Sequence, residues 1–263
     1  MVDMGTDRLH HAFWKFTDPE HPLYDPDNEF RHVIRDYYQA VDRQIGQLLS
    51  MVGDDTVVLV VSDHGARAMH GGVCINDWLI REGLLAIHEV LDKRKRIEEC
   101  TIDWSRTRAW GSGGYYGRIF FNVEGREPEG IIPANSYEAF RDEMIERIES
   151  MRGPDGNVLG NRAYKPEDLY STVRGVPPDL LVYFGNLFWR SVGTVGFPDV
   201  FTFENYTGPD DANHDFQGIF ILKDGSERRG KVYDAVDILD VAPTLLDSMG
   251  VPVPKDMQGK VLT

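Results

Sequence analysis

Thr56–Ala66, TVVLVVSDHGA, carries an apolar, β-branched run straight into a carboxylate, an imidazole and a glycine. A continuous run of this kind has the pattern of a strand covered on both faces in an α/β sheet. Just before it, residues 27–53 predict an amphipathic helix. Phe30, Val33, Ile34, Tyr37, Tyr38, Val41, Ile45, Leu48, Leu49 and Val52 recur there at steps of three and four. Asp27 or Asn28 can cap that helix and Gly53 can end it. Helix followed by buried strand is half of a doubly wound unit. The expectation is an interior strand over Thr56–Ser62, packed near the Tyr37, Val41 and Leu48 face of the helix.

In open α/β sheets ligands sit beyond the carboxyl ends of the strands, which is where Asp63 and His64 fall. Gly65 permits the chain to turn there, so the two side chains can aim at neighbouring positions. A carboxylate with a neutral imidazole is ligand chemistry for zinc or manganese. Taken alone, an Asp-His-Gly at a strand end is more often a turn with a satisfied side chain. A second constellation lies in TDRLHHAFW, where Asp7 and His11 share a face if a helical turn forms, with His10 pointing elsewhere. A capping aspartate beside an incidental histidine accounts for that motif as readily. His214, in DDANHDFQGIF, is the third element, and a lone histidine before a strand is usually structural.

Farther out, GIFILK (Gly218–Lys223) reads as a strand and DILDVAPTLLDSMG (Asp237–Gly250) as a helix, with Asp240 as cap and Pro243 in the first turn. The middle, residues 84–205, is rich in aromatics, glycine and proline and reads as an insertion or α+β cap lobe. Its strands are expected in RIFFNVEG (Arg118–Gly125) and DLLVYFG (Asp179–Gly185), and its helix in Ser136–Met151, capped by Ser136. Residues 1–83 then form the first part of a metal-binding α/β core, and residues 206–263 its final strand and helix. WGSGGYYG (Trp110–Gly117) lacks Gly-Lys-Ser/Thr and reads as a turn rather than a phosphate loop. DKRKR (Asp92–Arg96), balanced by Glu98 and Glu99, reads as a solvated helix face.

The 263 residues, 41% of them hydrophobic, suffice for a full core, and the formal charge of −15 argues against nucleic acid and anionic membranes as partners. Cys74 and Cys100 are too few and too far apart for a disulfide framework or a metal knuckle. No apolar run reaches the roughly 18 residues of a membrane span, and MVDMGTDRLHHAFW lacks the features of a signal peptide. A cytoplasmic location is the default expectation.

The order of these signals is more specific than any one of them. Asp-x3-His is followed by a helix, a strand ending in Ser-Asp-His-Gly, a long insertion, a histidine before a strand, and a helix containing APTLLDSMG. In this the chain resembles the alkaline phosphatase superfamily, and within it the type I phosphodiesterase and nucleotide pyrophosphatase-like phosphohydrolases. HDFQGIFILKDG with VDILDVAPTLLDSMGVPVPKDMQGKVL is the most specific part, and NDWLIREGLL and GREPEG also look like this group. The resemblance spans nearly all of the chain and corresponds to the C-terminal portion of the family's catalytic domain.

The resemblance implies an alkaline-phosphatase-like, doubly wound, mostly parallel sheet, its N-terminal part missing, with an α+β insertion. It implies a two-metal site, zinc first and manganese second. Asp7, His11 and His214 match the ligands of one ion, and Asp63 and His64 match two ligands of the other. The substrate class implied is a small-molecule phosphate ester or nucleotide, held by cations so that the surface can stay acidic. Arg67 and His70, just after the Asp-His pair, can reach such a substrate.

The family's further aspartate and its Ser or Thr nucleophile fall upstream of Asp-x3-His, where this chain has six residues. The expectation is that no catalytic nucleophile lies in this chain and that it is inactive alone. The upstream Cys-x-Pro-x-Arg of sulfatases is uninformative for the same reason. A phosphomutase resembling the cofactor-independent phosphoglycerate mutases and a non-catalytic metal-binding module are the alternatives. An incomplete sheet would expose an edge that invites a homo-oligomer.

Overall fold

The computed structural model describes residues 1–91, 93–205, 208–223, 230 and 232–262. Asp92 of the DKRKR stretch, and Asp224 and Gly225 of the closing segment, lie outside the described residues. In chain order the first elements are α1 (Gly5–Thr17), α2 (Val33–Leu49), β1 (Val58–Val61), β2 (Gly65–Ala68), β3 (Gly71–Cys74) and α3 (Ile75–Arg81). The middle holds β4 (Ala109–Ser112), β5 (Gly117–Phe121), α4 (Tyr137–Glu149), β6 (Arg162–Tyr164), α5 (Pro166–Leu169), β7 (Leu180–Tyr183) and β8 (Trp189–Val192). Then come β9 (Phe201–Thr202), β10 (Ala212–Asp215), β11 (Phe220–Lys223) and α6 (Val241–Ser248). The chain forms two compact units, Met1–Arg31 with Arg67–His214, and His32–Ala66 with Asp215–Thr263.

The first unit holds the core. Its four-stranded sheet has the order β4-β5-β7-β6, with every neighbouring pair antiparallel. Gly117, Ile119 and Phe121 alternate inward along β5 while Arg118 faces out, the period of two that a half-buried strand requires. Onto the inner face α4 lays Phe140, Met144 and Ile148, all at most 2% exposed. A second sheet has the order β8-β3-β9, with β3–β8 parallel and β3–β9 antiparallel. The strands and helix expected from RIFFNVEG, DLLVYFG and Ser136–Met151 are present as β5, β7 and α4. Ser136 stands at the N-cap position of α4, but its side chain makes no capping bond. A 3-10 turn over Ala134–Ser136 leads into the helix instead, and the Ser136 hydroxyl donates to Asn135 Oδ1.

Two of the sequence motifs are structural pins. In GREPEG, Arg126 donates to both oxygens of Asp179 at 2.7 and 2.8 Å and to the Phe121 carbonyl at 2.8 Å. Asp179 also accepts from the Phe121 N–H and the Tyr137 hydroxyl, so one buried carboxylate joins β5, β7 and α4. In NDWLIREGLL, fully buried Asn76 donates to the Gly111 and Gly193 carbonyls and accepts from the Gly111 N–H at 2.7 Å. A Cβ on Gly111 would meet Ile75 Cγ2 at 2.6 Å, so only glycine allows this approach.

The second unit corrects the sheet expectation. β1 forms where a strand was expected, but among the described residues its one partner is β11, antiparallel, with Val58 opposite Lys223 and Val61 opposite Phe220. The fold is mixed α/β with mostly antiparallel pairing, and the parallel pair identified in it is β3–β8 rather than one around β1. A parallel neighbour for β1 needs a crossover connection, and the strand this unit supplies to it is β11. Apolar periodicity reports which side chains avoid water and carries no information about strand partners. α2 begins at Val33, because the Asn28 side chain accepts the Phe30 N–H at 2.9 Å and holds a turn there instead of capping a helix. No residue of α2 is buried, and Tyr38, Leu48, Val61 and Ile221 are each at least 40% exposed. Asp240 ties this unit's C-terminal end together, accepting from the Lys260 N–H at 2.9 Å and the Asp237 N–H at 3.1 Å. No helix among the described residues is long and apolar enough to cross a membrane.

Candidate metal centre

α1 does what the Asp-x3-His spacing requires: one helical turn places Asp7 and His11 on one face. The Asp211 N–H donates to the His11 carbonyl at 2.6 Å, fixing the start of β10 against α1. That contact brings His214 to the same place. His11 Nε2 lies 3.4 Å from Asp7 Oδ1, and His214 Nε2 lies 3.8 Å from the same oxygen. One donor atom from each residue falls within 4.8 Å of the others, and among the described residues these three form the one such group. Ligand atoms at about 2.0–2.2 Å from a tetrahedral zinc ion stand about 3.3–3.6 Å apart. The observed separations are close to that, and an Asp-His-His donor set suits zinc or manganese. The Asp7 side chain is 44% exposed and that of His214 31%, which leaves a side open to a further ligand.

Two neighbours escaped the sequence reading. The Asp210 carboxylate lies 2.8 Å from His11 Nδ1, with Arg190 Nη1 3.8 Å from its other oxygen. Tyr115 stacks on His11 at 4.9 Å between ring centroids and covers His214 at 4.1 Å. Tyr115 sits in the glycine-rich WGSGGYYG segment, where Gly113–Tyr116 connect β4 to β5 while Trp110–Ser112 and Gly117 belong to those strands, so the turn reading held for the middle of the segment alone. Fully buried Asn213 holds the arrangement, donating to the Tyr115 and Leu187 carbonyls and accepting the His214 N–H. Burial disfavours a proton on His11, yet the hydrogen bond and charge of Asp210, with the charge of Asp7, outweigh it and raise the pKa above 6.5. Burial also raises the pKa of the Tyr115 hydroxyl, reinforced by Asp210 and Asp7.

Asp63 and His64 belong to the second unit. The Asp63 side chain is 86% exposed, with Oδ2 3.7 Å from His64 Nε2. His64 Nδ1 is 2.9 Å from the Gly65 carbonyl, so the ring donates there from Nδ1. A Cβ on Gly65 would lie 2.0 Å from the Gln217 carbonyl oxygen, so glycine is needed here for close approach. Arg67 and His70 are engaged by the turn before β8. The Arg67 guanidinium donates to the Asn186 carbonyl at 2.5 Å and lies over Phe188, on which the His70 ring stacks at 4.7 Å.

In the first unit, His21 is 4% exposed and uses both ring nitrogens as a neutral tautomer. Nε2 donates to the Asp211 carbonyl at 3.1 Å and Nδ1 accepts the Leu23 N–H at 3.0 Å. Burial lowers its pKa below 6.5, against the opposing charge of Asp211, and burial with the neighbouring His21 lowers that of His70. A lowered folded value means stability that is complete above the unfolded value and lost as pH falls through the folded one. Thermal unfolding should therefore show a falling midpoint from about pH 7.5 to about pH 5 that is less steep in His21→Gln. His11, shifted the other way, contributes equally to both proteins. Equal slopes in the two would contradict the neutral assignment.

No match was found among curated proteins. The family model described as Type I phosphodiesterase / nucleotide pyrophosphatase matches residues 1–196, which include Asp7, His11, Asp63 and His64. His214 and the closing segment, ranked most specific on sequence, lie beyond the match, so the place of His214 beside Asp7 rests on geometry. With most of its length matched, the chain belongs to the type I phosphodiesterase / nucleotide pyrophosphatase family of the alkaline phosphatase superfamily.

Proposed function

We propose that this chain carries metal-holding machinery of a two-metal phosphoester hydrolase acting on small-molecule phosphodiesters or nucleotide pyrophosphates. The observation that carries the reading is the convergence of Asp7 and His11 from α1 with His214 from β10. These three would hold one divalent ion, zinc before manganese, and Asp63 and His64 would contribute two donors to another. Such ions polarise phosphoryl oxygens and lower the pKa of the attacking group. The protein's own part is to fix the donors. His11 is clamped between Asp210 and Tyr115, and Asn213 sets the backbone from which His214 projects. Arg67 and His70 are candidates for substrate contact, with Phe188 organising both.

The family's covalent step needs a hydroxyl activated beside the metal. In this reading the attacking hydroxyl is not one of the Ser or Thr residues given, and the turnover expected of these residues by themselves is at or near background. Assays with an aryl phosphodiester and an aryl phosphomonoester, zinc or manganese supplied, check this. Metal-dependent turnover that His214→Ala abolishes would show that these residues suffice and that the missing-nucleophile reading is wrong. Failure to bind zinc or manganese at all would remove the hydrolase reading itself.

A further inference from the structure

We propose that Asp210 is a positioning residue that locks His11 into the tautomer with its proton on Nδ1 and its electron pair on Nε2. The proposal rests on the metal reading of Asp7, His11 and His214. A carboxylate can only accept, and its Oδ1 stands 2.8 Å from His11 Nδ1, so that nitrogen carries the proton. Nε2, 3.4 Å from Asp7 Oδ1, then turns its electron pair toward the space it shares with Asp7 and His214. The opposite tautomer would set electron pairs of Nδ1 and Asp210 against each other and point an N–H into the ligand space.

Asp210 is itself held. Its side chain is 18% exposed, and its other oxygen lies 3.8 Å from Nη1 of Arg190, a 9% exposed residue whose Nη2 donates to the Glu204 carbonyl at 3.2 Å. The Asp211 N–H to His11 carbonyl bond fixes the backbone beside it, and Tyr115 stacked on the His11 ring limits rotation. Asp210 therefore donates nothing to a metal directly. It determines which His11 nitrogen is available, and a carboxylate in this role also makes the imidazole a stronger donor.

The test compares wild type with Asp210→Asn and Asp210→Ala. Zinc affinity is read by competition with a chromophoric chelator, and the His11 tautomer in the metal-free protein by long-range 1H–15N NMR at a pH where the ring is neutral. Asp210→Ala should lose about 10–100-fold in zinc affinity and show a mixture of tautomers. Asp210→Asn keeps an acceptor but not the charge, and should fall between. An unchanged thermal midpoint in Asp210→Asn separates positioning from loss of fold. Wild-type zinc binding that Asp210→Ala leaves within about twofold, with Nδ1 still protonated, overturns the proposal. If wild type binds no zinc, the metal reading fails, while the tautomer measurement still decides whether Asp210 sets the ring.

Discussion

Replacing His214 with alanine should lower zinc affinity at the Asp7–His11 site by about 100-fold or more, since loss of an outer partner alone typically costs 10–100-fold. Three donors gathered from two elements would bind an ion with the cost of assembly already met by the fold. Removing one leaves two and hands the third place to water. The substitution is mild for the fold, because the His214 side chain is 31% exposed and its backbone N–H remains bonded to Asn213 Oδ1. Stability should change by no more than about 1 kcal/mol. Competition titration, with unfolding curves on the same samples, separates the two effects. A loss below about threefold would mean that His214 is a neighbour and not a ligand.

Asp179→Ala should destabilise the first unit by about 3–5 kcal/mol, the largest stability effect expected of a single substitution here. Asp179 is 3% exposed and serves two Arg126 N–H groups, the Phe121 N–H and the Tyr137 hydroxyl. Its removal orphans the Phe121 N–H in the interior and leaves Arg126 with Glu127 as its remaining charge partner. Burial, then the Asp179 hydrogen bond, pushes the Tyr137 hydroxyl to a pKa of about 12, as expected for a donor to an ionised carboxylate. Arg126→Ala should cost less, because the Arg126 side chain is 44% exposed and leaves solvent-reachable space. Denaturant unfolding of both variants checks the order. Equal and small losses would show that GREPEG is not a structural pin.

The convergence of Asp7, His11 and His214 was legible because two of the three obey a local rule. A separation of four residues places Asp7 and His11 together on any helix, and His214 was reachable through the family's order of motifs. Asp210 and Tyr115 obey no local rule. Asp210 meets α1 only because the strand that follows it docks there, and Tyr115 reaches the histidines from a glycine-rich turn with no spacing that announces it. Strand existence was likewise legible, from a β-branched run in β1 and from apolar stretches in β5, β7 and β11. Strand partnership was not, since the pairing of Val58–Val61 with Phe220–Lys223 depends on what else the chain offers in space. The cap expected at Ser136 failed for a related reason, as Pro133 and the 3-10 turn after it already direct the chain into α4.

Diffraction from zinc-soaked crystals of this chain, recorded at the zinc absorption edge, shows whether Asp7, His11 and His214 hold an ion. An anomalous peak is expected about 2.0–2.2 Å from a carboxylate oxygen of Asp7, from His11 Nε2 and from His214 Nε2. Zinc bound elsewhere while these three side chains stay ordered and empty would contradict that expectation.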